Sequence, residues 1–130
     1  MRINIATHIA SILCADPEIV KVVGTNMYPV ATKIEKAFPL IVYERDSAVS
    51  RYDKGGAVLS EVSATVFAIT EDYTSGVELS EMIISALDRK MAQYPGYDVI
   101  DALHIGSNEG YQDGAFIQQV QFSFIIKPKS

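Results

Sequence analysis

One cysteine and two histidines are all the thiol and imidazole chemistry in these 130 residues. Cys14 alone cannot close an internal disulfide, which fits a reducing compartment, and its neighbours Ile12, Leu13 and Ala15 predict a buried, inert thiol. His8 and His104 have no Cys, Asp or His partner at a metal-ligand spacing, so each is expected in a structural or surface role and no metal site is expected. The chain has no G-x-S-x-G, no H-E-x-x-H and no P-loop. Its Gly55-Gly56 pair precedes a strand rather than the helix N-terminus that a phosphate cradle needs. Long hydrophobic runs are missing too. The longest, such as Phe122–Ile126, fall far below the roughly 20 residues of a membrane span, and no signal-like apolar segment follows Met1-Arg2. The chain is therefore expected to be soluble, unprocessed and without a membrane partner. A basic excess is also absent. The net charge of -5 argues against an extended grip on phosphates and against direct sequence-specific nucleic-acid binding. There is no internal repeat, heptad array or low-complexity run.

What remains is a globular composition, 48% hydrophobic and 21% charged, long enough for one self-sufficient domain over residues 1–130. The stretch from Val58 to Met91 organises it. Val58, Val62, Ala64, Val66 and Ala68 alternate as the apolar face of a strand, with Leu59, Glu61, Ser63, Thr65, Phe67 and Ile69 on the other. Ser75-Gly76-Val77-Glu78 fits a capping box with Ser75 as N-cap. Leu79, Ile83, Ala86 and Leu87 then form a helical stripe, widened by Met82 and Met91, while Glu78, Ser80, Glu81, Asp88 and Arg89 face water. Acid at Glu78 and Glu81 and base at Arg89 and Lys90 suit the helix dipole.

Upstream, helical spacing of Ile5, Ile9, Ile12 and Leu13 predicts a helix from Arg2 to Ala15. Asp16-Pro17-Glu18 starts a second, short one that Gly24 stops. Asn26–Val30 reads as a short edge strand interrupted by Pro29, Ala31–Ala37 as a connection, and Leu40–Arg45 as a strand. Asp46–Gly56 reads as a long polar loop. Downstream, Tyr94–Tyr97 is a turn. Val99–Ile105 is a strand with Val99, Leu103 and Ile105 on one side and Ile100, Ala102 and His104 on the other. Asn108–Gly114 reads as a second polar loop. In the last strand Phe116, Val120, Phe122, Phe124 and Ile126 oppose Gln119, Gln121, Ser123 and Lys127, with Gln118 an exception on the apolar face and Pro128-Lys129 closing an edge. The expected fold is α+β, a mainly antiparallel sheet of about four strands with amphipathic helices on one face.

Acidic neighbours at Glu71-Asp72, Asp98 with Asp101, and Glu109 with Asp113 are read as solvated loop carboxylates. An enzyme would have to draw on Asp98, Asp101 or His104 converging in a cleft. A binding module would need a concave apolar pocket. Arg51, Tyr52 and Lys54 form the nearest thing to a basic-aromatic patch, with Tyr97, Tyr111 and Phe116 around the second hairpin, and such residues favour protein contacts.

Val23-Gly24, Met27-Tyr28-Pro29, Phe38-Pro39-Leu40-Ile41-Val42-Tyr43, Val62-Ser63-Ala64-Thr65-Val66-Phe67 and the helix Glu78-Leu79-Ser80 to Ala86-Leu87 follow one another in an order that resembles the tail completion proteins of long-tailed bacteriophages and prophages, the head-tail joining or tail terminator proteins once grouped as a domain of unknown function. The likeness runs from about Ile9 to Ile126; the irregular Ala31–Ala37 and the long Asn108–Gly114 depart from the pattern. It implies a structural protein rather than an enzyme, with no cofactor. Its members assemble in the bacterial host cytoplasm and reside in the virion tail. They form a ring, commonly a hexamer, at the head-proximal end of the tail tube, where they end tail growth and join tail-tube and head-connector proteins. Self-contacts of such a ring are assigned to Arg51, Tyr52 and Lys54 of the first loop and Tyr111 and Gln112 of the second.

Overall fold

The computed structural model describes residues 4–29, 38–52 and 58–128. Helices α1 (Ile5–Ala15) and α2 (Pro17–Val23) precede strands β1 (Met27–Pro29), β2 (Leu40–Tyr52) and β3 (Val58–Thr70); α3 (Tyr73–Leu87), β4 (Ala92–Tyr94), β5 (Tyr97–Gln112) and β6 (Ala115–Pro128) follow. The strands form one sheet in the order β1-β2-β3-β6-β5-β4. The α+β expectation holds, but the sheet has six strands and is mixed, because β1 lies parallel to β2 while every other pair is antiparallel. The two additions are three-residue edge strands. Pro29 ends β1, as a residue without an amide proton suits an edge. The expected connection Ala31–Ala37 lies outside the described residues.

The helices share one face of the sheet. Ile5, Ile9 and Leu13 of α1, Ile19 and Val23 of α2 and Leu79, Ile83 and Leu87 of α3 pack in one buried cluster with Val62, Ala64, Val66 and Ala68 of β3 and Val120, Phe122, Phe124 and Ile126 of β6. The alternations foreseen for β3 and β6 are thus the core face. Each fully buried large side chain contributes roughly 1.5–3 kcal/mol, so this layer dominates the packing. The opposite face carries a smaller apolar cluster at one end, where Leu40, Val42, Ile69 and Ala115 are buried with Tyr28, Phe38, Phe67 and Ile117 against them.

Helix boundaries follow hydrogen bonding. Asp16 accepts from the amides of Glu18 and Ile19, Pro17 occupies the first turn of α2, and Gly24 ends it at φ 60°. For α3 the cap is Asp72 rather than Ser75, because the Asp72 carboxylate accepts from the Ser75 amide at 3.0 Å, and the helix begins at Tyr73. The earlier start removes the dipole pattern: the first turn holds no acid, and Arg89 and Lys90 lie beyond Asp88. It also lets Gly76 approach Thr70 so closely that a Cβ there would lie 2.8 Å from the Thr70 hydroxyl. Ser80, expected in water, is buried and donates to the Val77 carbonyl at 2.7 Å. Met91, expected in the stripe, is 72% exposed, since α3 ends at Leu87.

Both expected polar loops are largely strand. β2 runs through Asp46 to Tyr52, and β5 runs through Asn108 to Gln112. Polar side chains hid this, yet a ladder needs only backbone groups when one face meets water: Ser47 stands opposite Ser63 and Ser50 opposite Ser60. The β5–β6 turn is only Asp113-Gly114, at φ 51° and 82°, the positive pair that a two-residue hairpin demands. Bulges between Val99 and Asp101 and between His104 and Gly106 break the simple period in β5. Val99 and Ala102 therefore share the core, whereas Ile105 is 56% exposed. β6 is an interior strand, so Pro128 closes no edge; it pairs with Tyr97.

Candidate interaction surface

The residues able to carry chemistry are dispersed. His8 is fully buried under α1, its Nδ1 2.7 Å from the Tyr94 hydroxyl and its ring edge-on to Phe124, and burial lowers its pKa to about 4. His104 lies on β5 with Nε2 3.1 Å from the Gly106 carbonyl and 2.9 Å from Ser107 Oγ. Cys14, expected to be buried, is exposed on α1 because Leu13 takes the inward position beside it. The acidic pairs serve local structure. Asp72 caps α3, and the Ser75 amide holds its carboxyl below the usual range. Asp101 meets Arg89 at 3.1 Å, and Glu109 accepts from the Tyr73 hydroxyl at 2.7 Å, which raises the phenol pKa. Among the described residues no three His, Cys, Asp or Glu side chains form a metal-binding group, and no helix is long and apolar enough to cross a membrane.

Open grooves mark the surface of the described residues. One of about 700 Å³ runs between α1 and the β1–β2 edge, beside Ala6, Ala10, Cys14, Pro29 and Tyr43. Another of about 350 Å³ lies between α2 and α3, beside Asp16, Glu18, Glu78, Glu81 and Met82. Neither gathers His8, His104, Asp98 or Asp101.

The sequence-assigned contact residues fall on the sheet rather than on loops. Arg51 and Tyr52 are the last two residues of β2, in register with Leu59 and Val58, and Lys54 lies outside the described residues. Tyr111 and Gln112 are the last two of β5, opposite Phe116 and Ala115. The exposed Tyr111 ring lies edge-on to Phe116 at 4.8 Å, which in turn meets Tyr73 at 6.0 Å. Register places the two pairs at opposite ends of the sheet. Ile41, Ala68, Gln118 and Glu109 share one row near the β5–β6 turn, whereas Ser50, Ser60, Ile126 and Val99 share another near the far ends of β2 and β3. The structure thus does not join the two sets within one chain.

Sequence reading foresaw an edge strand at Asn26–Val30 but not how little of each outer long strand is covered. β1 covers only Ile41–Tyr43 of β2, and β4 covers only Tyr97–Val99 of β5. The remaining outer edge of each long strand has no strand partner among the described residues. The Asp113-Gly114 dipeptide between alternating segments was the available signal for a longer β5. On the sheet face opposite the described helices, beyond the apolar cluster, Thr65 donates to Asp46 at 2.6 Å and Ser123 donates to Glu61 at 3.1 Å, beside Gln119 and Gln121. The centre of that face is polar and acidic.

No protein-family model matches the chain, and no curated protein does. Among solved structures, a chain from the virion of a native gene transfer agent (GTA) particle superposes with a TM-score of 0.79 at 13% identity, over 92% of this chain and 91% of the other. At that identity the likeness shows a shared fold, extending over nearly the whole of both chains.

Proposed function

We propose that this chain is a structural virion protein of a phage or prophage that forms a ring at the head-proximal end of a tail tube, ends tail growth there and links tail to head. The observation that carries the reading is the near end-to-end fold match to a chain of a virion particle, at a TM-score of 0.79. It agrees with the family resemblance of the sequence, and the dispersed titratable groups give support for work done by contact rather than by catalysis. Its partners are copies of itself, in a hexamer by the family resemblance, together with tail-tube and head-connector proteins.

Arg51, Tyr52, Lys54, Tyr111 and Gln112 supply subunit contacts in this scheme. Opposite ends of one sheet suit a head-to-tail interface, in which one end of a chain meets the other end of its neighbour. The test is the mass of the purified protein by native mass spectrometry and light scattering, with ring particles sought by electron microscopy. A closed oligomer is expected, with a smaller mass for the Arg51→Ala/Tyr52→Ala variant. A wild-type monomer at every concentration contradicts the ring, and an unchanged ring in the variant removes Arg51 and Tyr52 from the contact.

A further inference from the structure

We infer that the open edge of β5 in one copy pairs antiparallel with the open edge of β2 in the next, so that the sheets of neighbouring subunits join into one staggered sheet. This rests on the self-assembly proposed above and specifies the contact that builds it.

Strand direction permits the joint. β2 and β3, β3 and β6, and β6 and β5 are all antiparallel, so β2 and β5 run in opposite senses at the two sides of a four-strand unit. A copy displaced sideways in the same orientation brings its β2 antiparallel to the first copy's β5. The join therefore continues the pattern already present within the chain, and the same operation repeats from copy to copy as a heterologous interface requires.

Among the described residues, hydrogen-bonding capacity is available at both edges. On β2 the Ile41 amide turns outward to the Asn26 carbonyl at 2.9 Å, which fixes the alternation. Across the bulge between Arg45 and Ser47 the outward backbone positions become Ala48, Ser50 and Tyr52. On β5 the outer edge is occupied as far as His104: the Ala102 carbonyl accepts from the Arg89 amide at 2.7 Å, and the His104 amide donates to Asp88 at 2.9 Å. Beyond the bulge between His104 and Gly106 the outward positions become Ser107, Glu109 and Tyr111. Ile105 and Tyr111, at 56% and 64% exposure, are the large apolar side chains left in water along this strand segment. A long exposed edge carrying such side chains is a template for another strand.

The stagger follows from the corners these stretches occupy. The open part of β5 shares its rows with the start of β2, which β1 covers, and the open part of β2 shares its rows with the start of β5, which β4 covers. Copies aligned without a shift would set open edge against covered edge. Sliding each copy along the strands by about eight residues, roughly 26 Å at about 3.3 Å per residue, sets Ser107, Glu109 and Tyr111 opposite Tyr52, Ser50 and Ala48 and so matches open edge to open edge. Because every junction shifts the same way, the strands tilt against the ring axis, as a closed sheet requires.

Two edge variants test the joint. Ala48→Pro and Glu109→Pro each remove one outward amide without removing a bond to the inner neighbour, and proline is tolerated at such edge positions. Circular dichroism establishes that each remains folded. Each variant alone is expected as a monomer by native mass spectrometry. An equimolar mixture is expected to give heterodimers and nothing larger, because the intact β5 edge of Ala48→Pro meets the intact β2 edge of Glu109→Pro. If either variant alone keeps the wild-type oligomer, the pairing is wrong while the ring stands. If one variant alone dimerises and the mixture gives no heterodimer, like edges pair and the head-to-tail join is overturned. A monomeric wild type overturns the ring itself.

Discussion

Acid should loosen this protein through His8. The ring is fully buried, with Nδ1 bonded to Tyr94 and Nε2 without a hydrogen-bond partner among the described residues, so a second proton finds no acceptor. Burial lowers the pKa from 6.5 to about 4. A base whose folded pKa lies below its unfolded one binds protons more readily when unfolded. Its stability contribution is complete above pH 6.5 and is lost as pH falls from 6.5 toward 4. At about 1.36 kcal/mol per pKa unit, the shift to about 4 costs about 2 kcal/mol between pH 7 and pH 5 and about 3 kcal/mol once both states are protonated. Carboxylates such as Asp72 lose stability in the acid range as well, so the assay needs a subtraction. Urea unfolding of wild type and His8→Leu at pH 7 and pH 5 provides it. Leucine loses one hydrogen bond, worth about 1 kcal/mol, and removes a polar atom without a partner, so the two proteins should lie within about 1 kcal/mol at pH 7. At pH 5 the wild type should have lost about 2 kcal/mol more than the variant. Equal losses in the two proteins, or a His8 titration near 6.5 followed by NMR in the folded state, would refute the reasoning.

Other consequences are equally direct. Asp72→Ala should lower the melting temperature and Ser75→Ala should leave it nearly unchanged, which separates the observed cap from the capping box at Ser75. Gly76→Ala should destabilise by about 1–2 kcal/mol in chemical unfolding despite alanine's better helix propensity, because the new Cβ meets the Thr70 hydroxyl, itself bonded to the Asp72 carbonyl at 2.7 Å; Thr70→Ala in the same chain should recover part of the loss. The wild-type protein should not retard duplex DNA at physiological salt, since its net charge is -5 and Asp46 and Glu61 lie on the sheet face opposite the described helices. Salt-sensitive DNA retention by the wild type would contradict the acidic reading of that face.

Where one face of an element is buried and the other wet, the sequence alternation foretold the structure. β3 and β6 were legible because Val62, Ala64, Val66 and Ala68, and likewise Val120, Phe122, Phe124 and Ile126, repeat at period two without interruption. α1 and α2 were legible through their stripes and the Asp16-Pro17 start. Legibility failed where backbone pairing, not side-chain burial, decides the conformation. Ser47, Ser50, Asn108 and Gln112 look like loop residues, yet their ladders continue because each has a neighbouring strand on its inner side. A bulge defeats period counting in the same way, which is why Val99 and Ala102 were placed on opposite sides although they share the core. Arg51, Tyr52, Tyr111 and Gln112 were singled out for residue type; Asp113-Gly114 marked Tyr111 and Gln112 as the end of a strand, but no such signal placed Arg51 and Tyr52 at the opposite end of the same sheet.

That arrangement separates two demands on a small protein. Stability is concentrated where all three helices cover the sheet, in a layer that includes Phe122, Phe124, Leu79, Ile83 and Leu87, all fully or almost fully buried. Past their covering strands, Arg45–Ala48 of β2 and Ser107–Gln112 of β5 are exposed throughout and add little to that core. A strand end that buries nothing and leaves backbone groups unpaired is a liability to an isolated monomer. Proteins usually blunt such edges, and among the described residues β1, β4 and the Asp88-Arg89 connection do so over the first part of each strand only. The remainder extends at diagonal corners with matching strand sense. Protection that stops partway along both edges is difficult to explain by the needs of a single chain, and it follows directly if the exposed ends are completed by a neighbouring copy.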